Sequence, residues 1–151
     1  MTRTIAVALL SGMTFMATTT SRAGEISPGT VQLLQSSSYI YVATQRANGE
    51  LSSFKPIWFM YDSGKIFFTT EPNSWKAKRI AKGSPLSIRV GSEDGPLLTG
   101  KAEKITDPVL VDRMGEAYNK KYWIAWMGLF RPRSERVSEG KTAAYLVDLQ
   151  E

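Results

Sequence analysis

The chain has 151 residues, 42% of them hydrophobic and 22% charged, which suits one globular domain with a core of its own. It contains no cysteine and no histidine. That excludes disulfides, thiolate or imidazole metal ligands, a cysteine nucleophile and a Ser-His-Asp triad, leaving carboxylates, Lys, Arg, Tyr, hydroxyls or a bound cofactor to carry any chemistry.

The N-terminus reads as a targeting segment. MTR is basic, IAVALLSGMTFMA is apolar, and TTTSRA ends in the small-x-small triplet Ser21-Arg22-Ala23. This is the layout of a secretory signal peptide over residues 1–23, and it implies a periplasmic or secreted protein; a retained N-terminal membrane anchor or an extended translation start is the alternative. The apolar stretch falls short of the ~20 residues that span a bilayer, so no stable membrane span is expected after cleavage. No Arg-Arg pair supports a twin-arginine signal. Removing Arg3 and Arg22 leaves 17 basic against 14 acidic residues, a net of +3. That is too mild to argue for nucleic acid.

Ser27-Pro28 predicts a helix start, with Pro at the first helical position. YIYVATQR (39–46) and LSSFKPIWFMY (51–61) read as two strands around an Asn48-Gly49 hairpin turn. Pro56 places part of the second strand at an edge or bulge. KIFFTT (65–70) is a third strand, and SWKAKRIAKG (74–83) a short helix capped by Asn73 or Ser74 and stopped by Gly83. PLSIRVGS (85–92) and PLLTGKAEKIT (96–106) form another hairpin. Asp107-Pro108 opens a helix to about residue 121, YWIAWMGLFRPRSE (122–135) is irregular and aromatic, and TAAYLVDL (142–149) is the last strand. Sequential hairpins with few helices predict a mainly β domain over 24–151, a six-stranded antiparallel barrel.

One stretch concentrates candidate chemistry. In TTEPNSWKAKRI (69–80), Thr69, Thr70 and Ser74 supply hydroxyls beside a helix start, and Lys76 and Arg79 lie near one face. Lys78, two positions from Lys76, faces elsewhere. From these residues alone, an anion cradle and an ordinary solvated helix both remain open.

A hairpin with Asn-Gly, a strand ending Phe-Phe-Thr-Thr, Ser-x-Lys-Ala on a helix, Ser-Ile-Arg-Val, then Thr-Gly before Lys-Ala-Glu is an order of elements that resembles the pyridoxamine 5′-phosphate oxidase-like family. That family is the FMN-binding split β-barrel. The resemblance covers roughly residues 30–106 and, more loosely, the last strand. It implies that Thr69, Thr70, Ser74 and Lys76 hold the FMN phosphate, and that Ser53, Phe54, Lys55, Pro56, Ile57 and Trp58 run beside the flavin ring. Lys55 would place a cation at the ring's electron-rich edge. The implied cofactor-binding set is Lys55, Pro56, Trp58, Thr69, Thr70, Ser74, Trp75 and Lys76, with no catalytic side chain and no metal. A homodimer is implied as well, since the family's cofactor lies between two barrels. Ser53 and Trp58 stand where the vitamin-processing oxidases carry Arg and Lys, and their C-terminal Arg/His pair has no counterpart here. These departures argue against pyridoxamine phosphate as substrate. The absence of histidine argues against the fold's haem-binding branch, while the deazaflavin F420 would use the same cradle.

The function expected is that of an FMN-binding oxidoreductase acting on an unidentified small molecule. The alternatives are a non-catalytic split-barrel ligand-binding protein of the cell envelope, since unfolded export would leave a cytoplasmic cofactor behind, or an F420-binding reductase. A weaker one is a basic barrel stacking oligonucleotide bases. Tyr118, Tyr122, Trp123, Trp126 and Phe130 could wall a pocket, but packing on the barrel or a dimer interface is the preferred reading. Arg131 and Arg133 around Pro132 could reach an anionic substrate tail, but a solvated loop is the preferred reading.

Overall fold

A computed structural model describes residues 25–150; the expected signal peptide lies outside the described residues. The elements are α1 (Pro28–Ser36), β1 (Ile40–Thr44), β2 (Lys55–Ile57), β3 (Met60–Asp62), β4 (Lys65–Thr70), α2 (Trp75–Ala81), β5 (Leu86–Val90), β6 (Leu97–Ile105), α3 (Pro108–Lys121), α4 (Trp123–Trp126), α5 (Ser134–Ser138) and β7 (Ala143–Gln150). The strands form one antiparallel sheet in the order β2-β1-β5-β6-β7-β4-β3. Its edge strands, β2 and β3, are neighbours in sequence, so the curled sheet is a split barrel whose two edges are joined by Trp58 and Phe59.

The sequence pattern predicts one strand over 51–61, whereas the chain forms two, giving seven strands rather than six. The break has a local cause. The Trp58 carbonyl accepts from the Tyr118 hydroxyl at 2.9 Å, and the Phe59 amide donates to the Tyr122 hydroxyl at 3.1 Å. Side chains from the end of α3 thus satisfy backbone groups that a ladder would otherwise need. The irregular stretch after residue 121 also contains the short helices α4 and α5.

β4 shows why the core has two parts. Ile66 and Phe68 point into the barrel with Val42, Leu86, Ile88, Val90, Leu98 and Val147, all nearly or fully buried. Phe67, one residue out of phase, points to the opposite face and packs under α3 with Met60, Val111, Met114, Tyr118 and Tyr122. A strand covered on both faces loses polar alternation, which explains the Ile-Phe-Phe run. Truncating Phe68 to Ala would cost about 3–5 kcal/mol, the usual range for a buried aromatic ring. Gly100 serves a close approach: a Cβ there would stand 2.4 Å from the Asp148 carbonyl oxygen of β7.

The starts of α1, α2 and α3 follow local rules. The Ser27 hydroxyl accepts from Thr30 N, Ser74 from Ala77 N, and Asp107 from Val109 N. Helix α2 ends before Gly83, whose φ of +88° is a left-handed conformation costly for other residues.

Candidate functional site

The site begins with a register change in the first hairpin. Between the pairs Val42↔Lys55 and Gln45↔Leu51, β1 advances three residues while the returning strand advances four. The extra residue is a β-bulge. It places Lys55 opposite Val42 and sends Phe54 to the other side, where its ring lies 5.8 Å from the Arg89 guanidinium.

On the Val42 side, the end of the β-ribbon and helix α2 enclose a groove of about 320 Å³. Arg46, Lys55, Lys76 and Arg79 line it together with Thr44, Ser52 and Ser53, and no carboxylate does. The Arg79 guanidinium donates to Thr44 Oγ1 at 3.2 Å, which orients it. Arg46 makes a loose ion pair with Glu50 at 3.9 Å, both side chains largely exposed. Lys76 is half-buried, and burial lowers its pKa to about 8. Its Nζ lies 6.0 Å from the centre of the Phe68 ring. Among the described residues no carboxylate pairs with it.

The structure brings Lys55, Trp75 and Lys76 to this groove and separates the others. The Ser74 hydroxyl caps α2 and lies 3.3 Å from Thr70 Oγ1, so these two engage each other beside the groove. Thr69 is opposite Ala144, on the α3 face of the sheet. Pro56 and Trp58 are out of phase with Lys55. The Trp58 ring stacks on Tyr122, with centroids 4.3 Å apart and planes 6° apart, and it meets Phe130 edge-on at 6.3 Å. Trp75 is 71% exposed, its ring covered by Lys78 at 5.2 Å and Arg79 at 5.6 Å.

Thr44, Arg46, Ser52 and Arg79 belong to the groove without having been singled out as cofactor residues. Two signals were available. Arg79 follows Lys76 by three, and Val42, Thr44 and Arg46 share the two-residue period of one strand face.

The aromatic stretch divides. Tyr118 and Tyr122 are buried and bonded to the β2–β3 corner. Trp123, Met127, Leu129 and Phe130 remain exposed, and Phe130 holds a φ of +59°. The Arg133 guanidinium donates to the Gly128 carbonyl at 2.9 Å.

A model of the pyridoxamine 5'-phosphate oxidase family matches residues 26–148. The chain belongs to that family. The match extends past the expected 30–106 through α3 and the aromatic stretch, and into β7, which the resemblance covered more loosely. No curated protein sequence matches the chain. Solved structures similar to this family member include a candidate 5-nitroimidazole antibiotic resistance protein from Bacteroides thetaiotaomicron. Its identity is 12% over 86% of this chain and 83% of that one, with a TM-score of 0.64. A candidate pyridoxamine 5'-phosphate oxidase from Listeria innocua aligns at 12% identity over 82% and 92%, TM-score 0.59. An F420 reductase aligns at 21% identity over 83% and 97%, TM-score 0.57. At these identities the likeness is one of fold.

Proposed function

We propose that the protein binds FMN, with the cofactor's phosphate in the groove at Lys76, and acts as a flavin-dependent oxidoreductase on a small molecule. The observation that carries this reading is a desolvated lysine in a groove with three further cations, three hydroxyls and no lining acid. Such a set is poorly self-consistent, because like charges gather where water is scarce, and a dianionic phosphate relieves it. Lys76 and Arg79 neutralise the phosphate, Thr44 holds Arg79 in place, and Ser53 offers a hydroxyl donor. Lys55 lies on the same wall, on the edge strand. Bound flavin would supply the electron transfer, so no acid–base side chain is needed from a chain without histidine.

The test is the absorption spectrum of the purified full chain before and after FMN is added. Stoichiometric uptake with flavin absorbance, lost in Lys76→Ala, supports the reading. Protein that stays colourless with excess FMN overturns it. The F420 reductase neighbour supports a second reading, in which the same groove takes the phosphate of F420; the same titration with F420 distinguishes the two. Colourless protein with both would point to a non-catalytic ligand-binding barrel.

Two further proposals accompany this one. The protein works as a homodimer, supported by the exposed Trp123, Met127, Leu129 and Phe130, the last of them edge-on to Trp58, and sedimentation measures this. Residues 1–23 direct export, supported by their three-part layout, and N-terminal sequencing of the mature protein measures that. Among the described residues, no helix is long and apolar enough to cross a membrane.

A further inference from the structure

A larger cavity of about 640 Å³ adjoins the Lys76 groove and shares Arg46, Trp75 and Arg79 with it. Lys78 and Lys82 complete its charged lining, and again no carboxylate contributes. Trp75 is surplus to packing: Ala77 and Ile80 provide the buried face of α2, while the indole stands 71% exposed. Lys78 and Arg79 stand 5.2 Å and 5.6 Å from the centre of that ring, which lines the cavity wall. Among the described residues, the Arg46 side chain is held by its loose pair with Glu50.

A flat indole next to two lysines and an arginine matches one kind of ligand fragment, a planar base carrying a phosphate. We propose that this second cavity takes the nucleotide half of a dinucleotide ligand, with its outer phosphate on Arg46, Lys78 and Lys82 and its base against Trp75. The location of the inner phosphate rests on the reading of the Lys76 groove given above. Because the two spaces share three residues, the two phosphates of one ligand can occupy them without a chain movement. The protein then prefers FAD to FMN.

The test compares titrations of the full chain with FMN, FAD and ADP by calorimetry. FAD is expected to bind about tenfold or more tightly than FMN, the scale of one base stacked on an aromatic ring. ADP alone is expected to bind weakly. A Lys78→Gln/Lys82→Gln variant, altered only at exposed positions, removes the FAD advantage and the ADP signal while FMN affinity stays within about twofold; far-UV circular dichroism confirms its fold. Trp75→Ala removes the ADP signal as well. Equal binding of FAD and FMN, or an FAD advantage that survives the lysine changes, overturns the proposal. If ADP binds through Lys78, Lys82 and Trp75 but FMN does not bind, the subsite stands and the phosphate reading of the Lys76 groove falls.

Discussion

Lys76 and Lys121 are both withdrawn from water, and burial pulls the pKa of each down to about 8. Their surroundings differ. The Lys121 ammonium sits 3.4 Å from the centre of the Phe59 ring, 3.4 Å from the Phe59 carbonyl oxygen and 5.5 Å from the Tyr122 ring. These groups attract a cation, so its charge is answered inside the chain and it fastens α3 to the barrel corner. Lys76 meets one distant ring and a groove lined by other cations. Its charge is left for something that is not protein. A lowered lysine pKa therefore does not distinguish a structural lysine from a binding one; its neighbours do.

The sharpest way to test that contrast is to remove each ammonium and titrate FMN. Lys76→Ala is expected to weaken FMN by about 2–3 kcal/mol, roughly 30- to 150-fold in Kd, the scale of a charge-assisted hydrogen bond to phosphate. Lys121→Met is expected to leave FMN affinity within about twofold. If both variants lose FMN equally, the contrast fails. Next in size is the corner itself. The Tyr122 hydroxyl accepts from the Phe59 amide at 3.1 Å and donates to the Ser38 carbonyl at 2.8 Å. Tyr122→Phe leaves a buried amide unpaired and is expected to cost about 2 kcal/mol in urea denaturation, with FMN binding preserved in the folded protein.

The pH dependence separates the two lysines again. Lys76 carries its proton below about pH 8, and a bound phosphate favours the protonated form. FMN binding should take up a proton above that pH. Its Kd is expected to hold steady near pH 7 and to rise by up to about tenfold per unit above pH 8. That rise should persist in Lys121→Met. In ligand-free protein the sign reverses. The unfolded chain binds more protons between about 8 and the ordinary lysine value of 10.5, so stability should increase with pH across that window. The smallest expected effect follows from the same imbalance. Lys76→Met removes a desolvated charge with no protein partner and should stabilise the ligand-free protein by about 1 kcal/mol, discounted for partial exposure. Lys121→Met forfeits its ring and carbonyl contacts and should not. Thermal unfolding of the two variants side by side measures this.

What was legible in the sequence was what is local. Ser27-Pro28, Ser74 and Asp107-Pro108 cap their helices with hydrogen bonds reaching two or three residues, and Asn48-Gly49 turns a hairpin within four. Lys55, Trp75 and Lys76, drawn from the resemblance and from the helix start, meet at one groove. Grouping Thr69 with Thr70 by proximity set aside the two-residue period of β4, which sends them to opposite faces. The interruption at Trp58 and Phe59 was not legible, because its partners Tyr118 and Tyr122 stand about sixty residues further along the chain. Thr44 and Arg46 were not legible as site residues for the related reason that their partner surface, α2, arrives only with the fold.

The bulge between Leu51 and Lys55 makes the electrical character of the groove a matter of parity. Side chains alternate along a strand, so the identity of the residue facing Lys76 depends on whether an odd or even number of positions precedes it. Were the same residues laid in a regular ladder without the bulge, no charge would be lost from the composition, but Phe54 would take the seat of Lys55. The Lys55 ammonium would move to the face where Arg89 already lies. A frame of one residue separates a groove that attracts an anion with four cations from one that presents a phenyl ring to it.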